Sequence, residues 1–339
     1  MLRLVRILLF PISFIYLAIT KIRNFLYDHD IFRTYKLPVP VISIGNIAAG
    51  GTGKTPFSIS LTNLLRERGF KPAILTRGYK KQSKGQVLVS NGSNPSVSSK
   101  ISGDEPYVLA RNTQAVVIAN PDRYEAGRTA IDNYNCDIII ADDAFQHRKL
   151  QRDLDILLWD SNHSPQDSFI LPTGYLREDI KSVRRADHLV FTRTEKIPDN
   201  MLNLFNKLAP DIGKHCAPLK INKLVKAIDQ TAIPENIIEG KSILAFCGLG
   251  NPSQFFETIK QLKPQKIDTF KFKDHHKYNK KGLQRLVNIA DSKNHHYLIT
   301  TEKDFSNFPD NYVPDKRILI LKIELAVDPE LFNQIINKL

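Results

Sequence analysis

The sequence predicts a two-domain α/β protein whose larger domain has a mostly parallel sheet with helices on both faces. Short, continuous apolar runs alternate with amphipathic stretches along most of the 339 residues. This alternation is the pattern of buried parallel strands and their connecting helices. At roughly 100–200 residues per domain, the length predicts two domains. A change of pattern near residue 218 separates two sets of such units, of which the second is the smaller.

The composition is that of a folded protein with polyanionic partners. Hydrophobic residues make up 42% of the chain, and 16 Gly with 19 Pro exclude a collagen-like or mainly disordered protein. Cys136, Cys216 and Cys247 lie far apart, so we expect neither a disulfide scaffold nor a cysteine zinc site, and a reducing compartment fits. The formal charge of +13 favours nucleic acid, anionic lipid or a phosphorylated substrate as partner.

The first element, residues 1–27, is predicted to be a helix at a membrane interface. Ile7–Thr20 carries no charged side chain. Basic residues flank it on both sides, namely Arg3, Arg6, Lys21 and Arg23. As a helix, about 14 residues reach roughly 21 Å, short of the ~30 Å hydrocarbon core, and Pro11 interrupts them, so we do not expect a simple span. A buried core helix, a signal peptide and a true span remain alternatives, although no small-residue cleavage site follows the apolar run.

The larger domain is predicted over residues 28–217. Continuous apolar runs predict strands at Val41–Ile44, Ala73–Thr76, Ala115–Ala119, Asp137–Ala141, Leu154–Trp159 and His188–Thr192. Helical periodicity covers Lys54–Arg68 and Arg123–Tyr134. The Ser/Gly/Asn-rich stretch Ser83–Ser102 predicts a long hairpin or a mobile loop.

Residues 218–240 are predicted to link the domains, and residues 241–339 to form the smaller α/β domain. Its predicted strands are Ser242–Phe246, Lys266–Phe272, Tyr297–Thr300 and Arg317–Lys322. Its predicted helices lie near Pro252–Leu262, Lys280–Ile289 and Pro329–Leu339.

The strongest chemical signal is Val41–Pro56, VISIGNIAAGGTGKTP, where an apolar strand runs into a glycine-rich turn and a helix opens at GKT. Lys54 of such a loop can reach the β- and γ-phosphates of a nucleotide, and the Thr55 hydroxyl can bind Mg²⁺. The pattern departs from the usual one at Ala48, where Gly is common. The alternative is a glycine-rich turn that only caps a helix. We predict a domain of the P-loop NTPase type whose nucleotide-binding residues are Gly50, Gly51, Thr52, Gly53, Lys54 and Thr55.

Two adjacent carboxylates, Asp142 and Asp143, end the predicted strand Asp137–Ala141. The carboxyl ends of parallel strands meet the same crevice as the phosphate-binding loop. One of the pair can hold Mg²⁺ directly or through water, as the second metal element of a P-loop enzyme does. The alternative is a solvated acidic pair at a strand end.

Further motifs recur along nearly the whole chain: LTRGY at 75–79, GDEP at 103–106, DDAFQHRKLQRD at 142–153, LPTGYLRE at 171–178, RADHLVFTR at 185–193, GLGNP at 248–252, DHH at 274–276 and TEKD at 301–304. With these motifs, the apolar N-terminus and GNIAAGGTGKTP at 45–56, the chain closely resembles the tetraacyldisaccharide 4'-kinase family, the ATP-dependent lipid A kinases of Gram-negative envelope synthesis. Ala48 resembles the family's own variation on the loop. The resemblance implies transfer of the γ-phosphoryl group of ATP to the 4'-hydroxyl of a tetraacylated disaccharide 1-phosphate.

The resemblance also implies catalytic roles for Lys54, Asp104 and His275. Asp104 matches the family's acidic residue proposed as the base that accepts the hydroxyl proton. Glu105 beside it is a candidate metal contact, with Thr55, Asp142 and Asp143. From the residues alone, Asp104 and Glu105 also fit an acidic pair at a helix N-terminus. The family's matching histidine pairs with the base across the cleft, and we expect His275 rather than His276 in that place, with a solvated loop as the alternative.

Basic and aromatic side chains are expected to hold the sugar and its phosphate. Arginine suits bidentate phosphate contact, and a tyrosine ring can pack on a sugar face. The predicted substrate-binding residues are Arg77, Tyr79, Arg123, Gln146, His147, Arg148 and Arg177. Each of them, taken singly, also fits a solvated side chain or a strand-end residue.

Two other classes of P-loop protein fit less well. A guanine-nucleotide switch usually carries N/T-K-x-D, whereas TEKD places Lys303 directly before Asp304. A nucleic-acid-binding ATPase would use the positive charge, but basic–aromatic interleaving, a zinc motif and a helix-turn-helix signature are lacking. We therefore expect ATP and Mg²⁺ as cofactors, a lipid A disaccharide precursor and an anionic membrane surface as partners, and no nucleic acid. The implied location is the cytoplasmic face of the bacterial inner membrane, with peripheral or monotopic attachment.

Overall fold

The structure, a computed structural model, describes residues 2–79, 81–165 and 169–339, with side chains from residue 8 onward. Its strands are β1 (Val41–Gly45), β2 (Pro72–Thr76), β3 (Val87–Asn91), β4 (Val116–Ala119), β5 (Ile138–Asp142), β6 (Leu154–Asp160), β7 (His188–Thr192), β8 (Gly213–Ala217), β9 (Leu219–Lys226), β10 (Ala232–Ile233), β11 (Ser242–Cys247), β12 (Lys266–Lys271), β13 (Tyr297–Thr301) and β14 (Ile318–Leu325). Its α-helices are α1 (Leu2–Asp28), α2 (Lys54–Glu67), α3 (Ser99–Ser102), α4 (Asp104–Asn112), α5 (Arg123–Tyr134), α6 (Asp199–Leu208), α7 (Pro252–Lys260), α8 (Lys280–Ser292), α9 (Glu302–Phe305) and α10 (Pro329–Lys338).

The larger sheet has the strand order β3-β4-β2-β5-β1-β6-β7-β8. All neighbours are parallel except β3, which pairs antiparallel with β4 at one edge. Helices α2 and α4 pack on one face, and α5 and α6 on the other. Because both faces are covered, the central strands are buried at every position, which confirms the predicted α/β class and the predicted strands. The stretch Ser83–Ser102 forms edge strand β3 and the short helix α3.

The smaller sheet has the order β10-β9-β14-β13-β11-β12, with α7 on one face and α8 on the other. Strands β11 to β14 are parallel, whereas β9 and β10 are antiparallel. The predicted linker over residues 218–240 is wrong, because this range contributes β9 and β10 to the sheet. Exposed lysines alternate with partly buried residues in the first part of β9, so the strand lacks the continuous apolar run of its neighbours.

The last helix, α10, crosses back to the larger sheet. Leu331, Phe332 and Ile335 are buried in the same cluster as Phe57 and Leu61 of α2. Full burial of each such side chain stabilises the fold by about 1.5–3 kcal/mol. Residues 241–339, predicted to form one small domain, therefore divide between both sheets.

Helix α1 is continuous from Leu2 to Asp28, so the predicted interruption at Pro11 is wrong. A proline removes one N–H from the helical ladder but leaves the other hydrogen bonds in place. At ~1.5 Å per residue the helix is about 40 Å long, so its length does not exclude a span. Within the described residues, the stretch Leu8–Asp28 is long and apolar enough to cross a membrane, a criterion that core helices and signal sequences also meet.

One face of α1 contacts the larger domain. The Ser13 hydroxyl lies 2.9 Å from that of Thr173, and Asn24 Nδ2 donates to Glu178 Oε2 at 2.8 Å. The Lys21 ammonium lies 3.3 Å from Asp179 Oδ2. Elsewhere on the helix, large apolar side chains are more than half exposed: Leu8, Phe10, Ile12, Phe14, Ile15, Ile19, Ile22 and Phe25. The helix is therefore attached to the domain by polar contacts and presents an apolar surface outward.

Candidate active site

The P-loop lies between β1 and α2. Gly50 and Gly53 have φ angles of 115° and 88°, a region that glycine adopts without strain. A Cβ atom at Gly53 would also lie 2.5 Å from Leu325 Cδ1 at the end of β14. Thr52 is buried, and its hydroxyl accepts a hydrogen bond from Asn46 Nδ2 at 2.8 Å. The loop therefore needs glycine at these two positions for its backbone path.

Residues at the end of β7 brace this loop. The Thr192 hydroxyl donates to the carbonyl of Thr52 at 3.0 Å, and Arg193 Nη2 donates to the carbonyl of Gly51 at 2.6 Å. The same guanidinium forms an ion pair with Asp160 at the end of β6. Two neighbouring strands thus hold the phosphate-binding loop in shape.

Asp142 lies at the carboxyl end of β5 and is 1% exposed. Its Oδ1 accepts a hydrogen bond from the Ser58 hydroxyl of α2 at 2.9 Å. Burial and the nearby carboxylates of Glu105 and Asp143 raise the pKa of Asp142 to about 7, although Lys54 opposes them. Ionisation of this carboxyl is therefore unfavourable without further positive charge.

Asp143, the next residue, lies between two cations. Lys54 Nζ is 3.5 Å from its Oδ1, and Arg177 Nη1 is 3.0 Å from the same atom. Burial acts to raise the pKa of Asp143, but Lys54 and Arg177 outweigh it and hold the pKa below its ordinary value. The structure thus places Lys54, Asp143 and Arg177 in one ionic cluster beside Asp142.

Asp104 begins α4 and is 5% exposed. Three side chains of the smaller sheet's loops donate to its carboxylate: His275 Nδ1 at 2.9 Å, Asn307 Nδ2 at 2.9 Å and Lys277 Nζ at 3.1 Å. Burial acts to raise the pKa of Asp104, but these three hydrogen bonds outweigh it and hold the pKa far below its ordinary value. The carboxylate is therefore ionised at any physiological pH.

His275 lies in the loop between β12 and α8, with a left-handed φ of 60°. Its Nδ1 faces Asp104, and its Nε2 lies 3.3 Å from Lys303 Nζ. The neighbouring His276 instead stacks on Phe272, with ring centroids 4.4 Å apart. The structure therefore places His275, and not His276, against the buried carboxylate.

Arg77 and Tyr79 follow the carboxyl end of β2, and both are exposed. The ring of Tyr79 meets the ring of His275 edge to face, with centroids 5.8 Å apart. Tyr79 is 57% exposed despite this contact. Its ring therefore lies beside the histidine loop and is mostly exposed to solvent.

Arg123 and His147 lie deeper, behind the acidic pair. Arg123 is 3% exposed, and its Nη2 is 3.5 Å from the carbonyl oxygen of Asp142. Burial lowers the pKa of Arg123 to about 10, although Asp142 and Asp143 oppose the shift. Burial and then Arg123 lower the pKa of His147 to about 4, so this ring is neutral at physiological pH. Arg123 supplies positive charge behind the site, and its side chain is largely closed off from solvent.

Gln146 and Arg148 contact other parts of the chain. Gln146 Nε2 donates to the carbonyl of Asn46 at 2.9 Å, which ties it to the P-loop. Arg148 Nη2 lies 2.7 Å from Asp28 Oδ1, and its Nη1 donates to the carbonyl of Asn24 at 3.0 Å. The structure thus uses Arg148 to hold α1, away from Asp104 and its partners.

Lys277 and Asn307 were not predicted, although both contact Asp104. Each lies within three residues of a motif, DHH at 274–276 or TEKD at 301–304. Their closeness to the motifs was therefore the signal available for both residues. The motifs do not show that both side chains converge on α4, a helix that packs on the larger sheet.

Comparisons with known proteins agree along the whole chain. The sequence profile of the tetraacyldisaccharide-1-P 4'-kinase (LpxK) family matches residues 5–339. The tetraacyldisaccharide 4'-kinase of Syntrophus aciditrophicus is 34% identical over 342 residues, which cover 96% of this chain and 90% of that protein. The tetraacyldisaccharide 4'-kinase of Aquifex aeolicus is 39% identical over 272 residues, covering 80% and 82%. A crystal structure of LpxK from Aquifex aeolicus in complex with ATP has a TM-score of 0.78 and 32% identity, covering 98% of this chain and 99% of that one.

Proposed function

Because this chain belongs to the tetraacyldisaccharide-1-P 4'-kinase family, we propose that Asp104 is the base of its reaction and the P-loop its nucleotide site. The protein is an ATP-dependent kinase of lipid A biosynthesis that phosphorylates the 4'-hydroxyl of a tetraacyldisaccharide 1-phosphate. One observation gives these two roles their strongest support. Asp104, buried at the start of α4, takes its hydrogen-bond donors from the smaller sheet, while α4 itself packs against the P-loop helix α2.

The chemistry follows from these positions. The 4'-oxygen forms a bond to the γ-phosphorus, the bond from that phosphorus to the bridging β-oxygen breaks, and the hydroxyl proton passes to an Asp104 oxygen. A carboxylate that is always ionised is always available to align the hydroxyl and accept its proton. Lys54 offsets negative charge that develops on the phosphate oxygens, and Gly50 to Thr55 supply backbone N–H groups around them.

The acidic pair fits a magnesium ion. Among residues 2–79, 81–165 and 169–339, no three His, Cys, Asp or Glu side chains form a preformed metal site. Magnesium at a nucleotide needs fewer protein ligands, because phosphates and water complete its shell. The raised pKa of Asp142, caused by burial and by Glu105 and Asp143, marks a place where a divalent cation would be stabilised. Asp142 and the Thr55 hydroxyl would hold the ion, with Asp143 and Glu105 beside it, and the ion would offset the negative charge of the triphosphate.

The apolar surface of α1 supports attachment to an anionic membrane surface at the cytoplasmic face of the inner membrane. A lipid-linked substrate and a cytoplasmic nucleotide meet on that face. The polar contacts of Ser13, Lys21 and Asn24 keep one side of the helix on the protein, which favours a helix lying in the interface over a span. Anionic lipid and phosphates account for the +13 charge without a nucleic-acid partner. The side chains of Arg3 and Arg6 lie outside the described part of the chain.

The test is phosphorylation of a purified disaccharide 1-phosphate precursor with ATP and Mg²⁺, with the product mapped by tandem mass spectrometry. We expect one added phosphate on the 4'-position. Turnover of another sugar but not of the disaccharide would retain the kinase and refute the substrate. Lack of ATP consumption with every acceptor would refute the kinase.

A further inference from the structure

The motif TEKD at 301–304 has no role in the mechanism above, yet its residues surround the histidine loop. Asp304 is 2% exposed, and its carboxylate accepts hydrogen bonds from the backbone N–H of Gly248 at 2.7 Å and the Tyr278 hydroxyl at 2.9 Å. The backbone N–H of His275 in turn donates to the carbonyl of Gly248 at 3.2 Å. Asp304 therefore holds both the Gly248 backbone, which accepts from His275, and the side chain of Tyr278, three residues after His275.

Glu302 fixes the same motif to the helix that carries Asp104. Its Oε1 lies 2.6 Å from Lys322 Nζ and accepts a hydrogen bond from Asn112 Nδ2 at 2.9 Å. Asn112 is the last residue of α4, whereas Asp104 is its first. Through Glu302, the short helix α9 thus contacts the last residue of α4. Lys303, the next residue of α9, contacts His275, which in turn contacts the first residue of α4.

That next residue, Lys303, contacts the outer nitrogen of the His275 ring. Its ammonium group lies 3.0 Å from Asp274 Oδ1 and 3.3 Å from His275 Nε2. An ammonium group can only donate, so Nε2 must accept. The ionised Asp104 carboxylate can also only accept, so Nδ1 must carry the proton. In this arrangement the Nδ1 proton is directed at Asp104, and Nε2 accepts from Lys303.

We infer that Lys303 is a positioning residue for the phosphoryl transfer, which holds His275 as the Nδ1–H tautomer and so keeps that N–H on the Asp104 carboxylate. The inference rests on the roles proposed for Asp104 and His275. It also sets the path of the proton. Because the ammonium occupies Nε2, the proton that Asp104 takes from the sugar hydroxyl stays on Asp104 and does not pass outward through the ring. The charged groups that face the ring are Asp104 from α4, Asp274 from its own loop and Lys303 from α9.

The first test uses three variants of the full-length enzyme. Lys303→Met should lower kcat about tenfold and leave the KM for ATP within about twofold, because the histidine acts on the base and not on the nucleotide. Lys303→Arg, which keeps a permanently charged donor, should recover most of the loss. The matched control is Lys100→Met, since Lys100 pairs with Asp310 across the same pair of sheets at 3.2 Å but is exposed. We expect its kcat to be unchanged.

The second test observes the tautomer directly by ¹⁵N NMR of the histidine side chains, with His275→Gln to assign the signal. The wild-type ring should show protonated Nδ1 and unprotonated Nε2. In Lys303→Met, Nε2 loses its donor, so a larger share of the rings should carry the proton on Nε2.

The outcomes separate this inference from the function it rests on. Wild-type kcat in both Asp104→Asn and His275→Ala would refute the proposed roles themselves. A defective His275→Ala beside a Lys303→Met enzyme with normal kcat and an unchanged tautomer would refute the inference alone. Additive losses in the Lys303→Met/His275→Ala double variant would do the same, because residues that act through one another are not additive. If Lys303→Met does not fold, Lys303→Gln carries the same measurements.

Discussion

Asp104 and Asp142 are both almost fully buried carboxyl groups of the larger domain, and their surroundings are opposite. Asp104 receives donors from His275, Lys277 and Asn307, which overcome the effect of burial and lower its pKa. Asp142 has the Ser58 hydroxyl and two neighbouring carboxylates, so burial and repulsion raise its pKa to about 7. The protein therefore supplies its own donors to the charge of Asp104, whereas the charge of Asp142 needs a cation from outside the chain.

This difference teaches how similar side chains acquire separate tasks. A carboxylate whose partners are built into the chain has a fixed orientation and is unprotonated before the reaction, so it can align a hydroxyl and accept its proton. A carboxylate crowded by Glu105 and Asp143 gains stability when a divalent cation arrives. The burial of Asp104 and Asp142 alone, 5% and 1% exposed, would not distinguish them.

The largest effect that separates the two sites is expected from Asp104→Asn. Loss of the base should lower kcat by about 1,000-fold, within the 10²–10⁴ range typical of general base catalysis. The KM for ATP should change little, because Asp104 does not hold the nucleotide. Steady-state kinetics with ATP varied at a saturating lipid concentration would measure kcat and the KM for ATP. A rise in the KM for ATP with kcat retained would reverse the roles we assign to Asp104 and Asp142.

Lys54→Met should lower kcat by about 100-fold or more, since electrostatic groups at the transition state typically contribute that much. Lys54 Nζ is also 3.5 Å from Asp143 Oδ1 and lowers the pKa of both Asp142 and Asp143, so its removal should raise both pKa values. Single-turnover phosphorylation measures the loss in the chemical step. An enzyme that retained more than about a tenth of its turnover would not use Lys54 as a catalytic lysine.

Asp142→Asn should raise the Mg²⁺ concentration needed for half-maximal activity by about tenfold, in line with the loss of a group that supports a metal. Asp104→Asn is the control, because it should leave the Mg²⁺ requirement unchanged while its rate falls. Titration of Mg²⁺ at fixed ATP distinguishes the two variants. Identical Mg²⁺ titration curves for wild type and Asp142→Asn would refute the assignment of the metal to this carboxylate.

The same variant should also change how stability depends on pH in metal-free buffer. In the folded protein Asp142 keeps its proton up to about pH 7, whereas in the unfolded chain it loses the proton near 3.8. The unfolded state thus binds fewer protons between these values, so this carboxyl lowers stability as pH rises through the window. Asp142→Asn should melt higher than wild type above pH 7, with the gap closing toward pH 4. An equal gap at pH 5 and pH 8 would contradict the raised pKa.

Removal of residues 1–24 should have the smallest effect on either carboxylate. The truncated enzyme should leave the membrane fraction and use bilayer-presented lipid poorly, yet phosphorylate a short-chain soluble analogue almost normally. High salt should release only part of the intact protein, because salt screens the basic residues but not buried apolar surface. A Phe10→Ser/Phe14→Ser variant, which keeps the Ser13 and Asn24 contacts, is the matched control and should also detach. Sedimentation of the truncated protein with membranes would refute the anchor.

The sequence predicted most strands of both sheets because their physical signal is local. Ile138–Asp142 is buried at every position, so its apolar run is visible without neighbours. Strand β9 was missed for the converse reason, since only its later residues Leu224 and Val225 are buried. Helix α10 was predicted as a helix, but its periodicity does not state which sheet its apolar face will cover.

The site residues likewise differ in whether the sequence could predict them. The P-loop and Asp142 were predicted because strand, turn and helix are contiguous in the chain. The partners of Asp104 are 171 residues away at His275 and 203 residues away at Asn307, so their meeting depends on how two sheets pack. The family resemblance pointed to His275, whereas Lys277, Asn307 and Lys303 emerge from the coordinates. Likewise, Arg148 was predicted from its charge as a substrate contact, and the structure shows it paired with Asp28.

The return of α10 to the larger sheet has a consequence for biosynthesis. The face of α2 that carries Phe57 and Leu61 is covered by Leu331 and Ile335, which are translated roughly 270 residues later. At ~5–20 residues per second, roughly 15–55 s separate the two. During that interval an apolar face of the nascent nucleotide-binding half is open to solvent or to chaperones. Loss of the 10 residues of α10 would leave it open permanently, so the core of the nucleotide-binding half is complete only when α10 has been made.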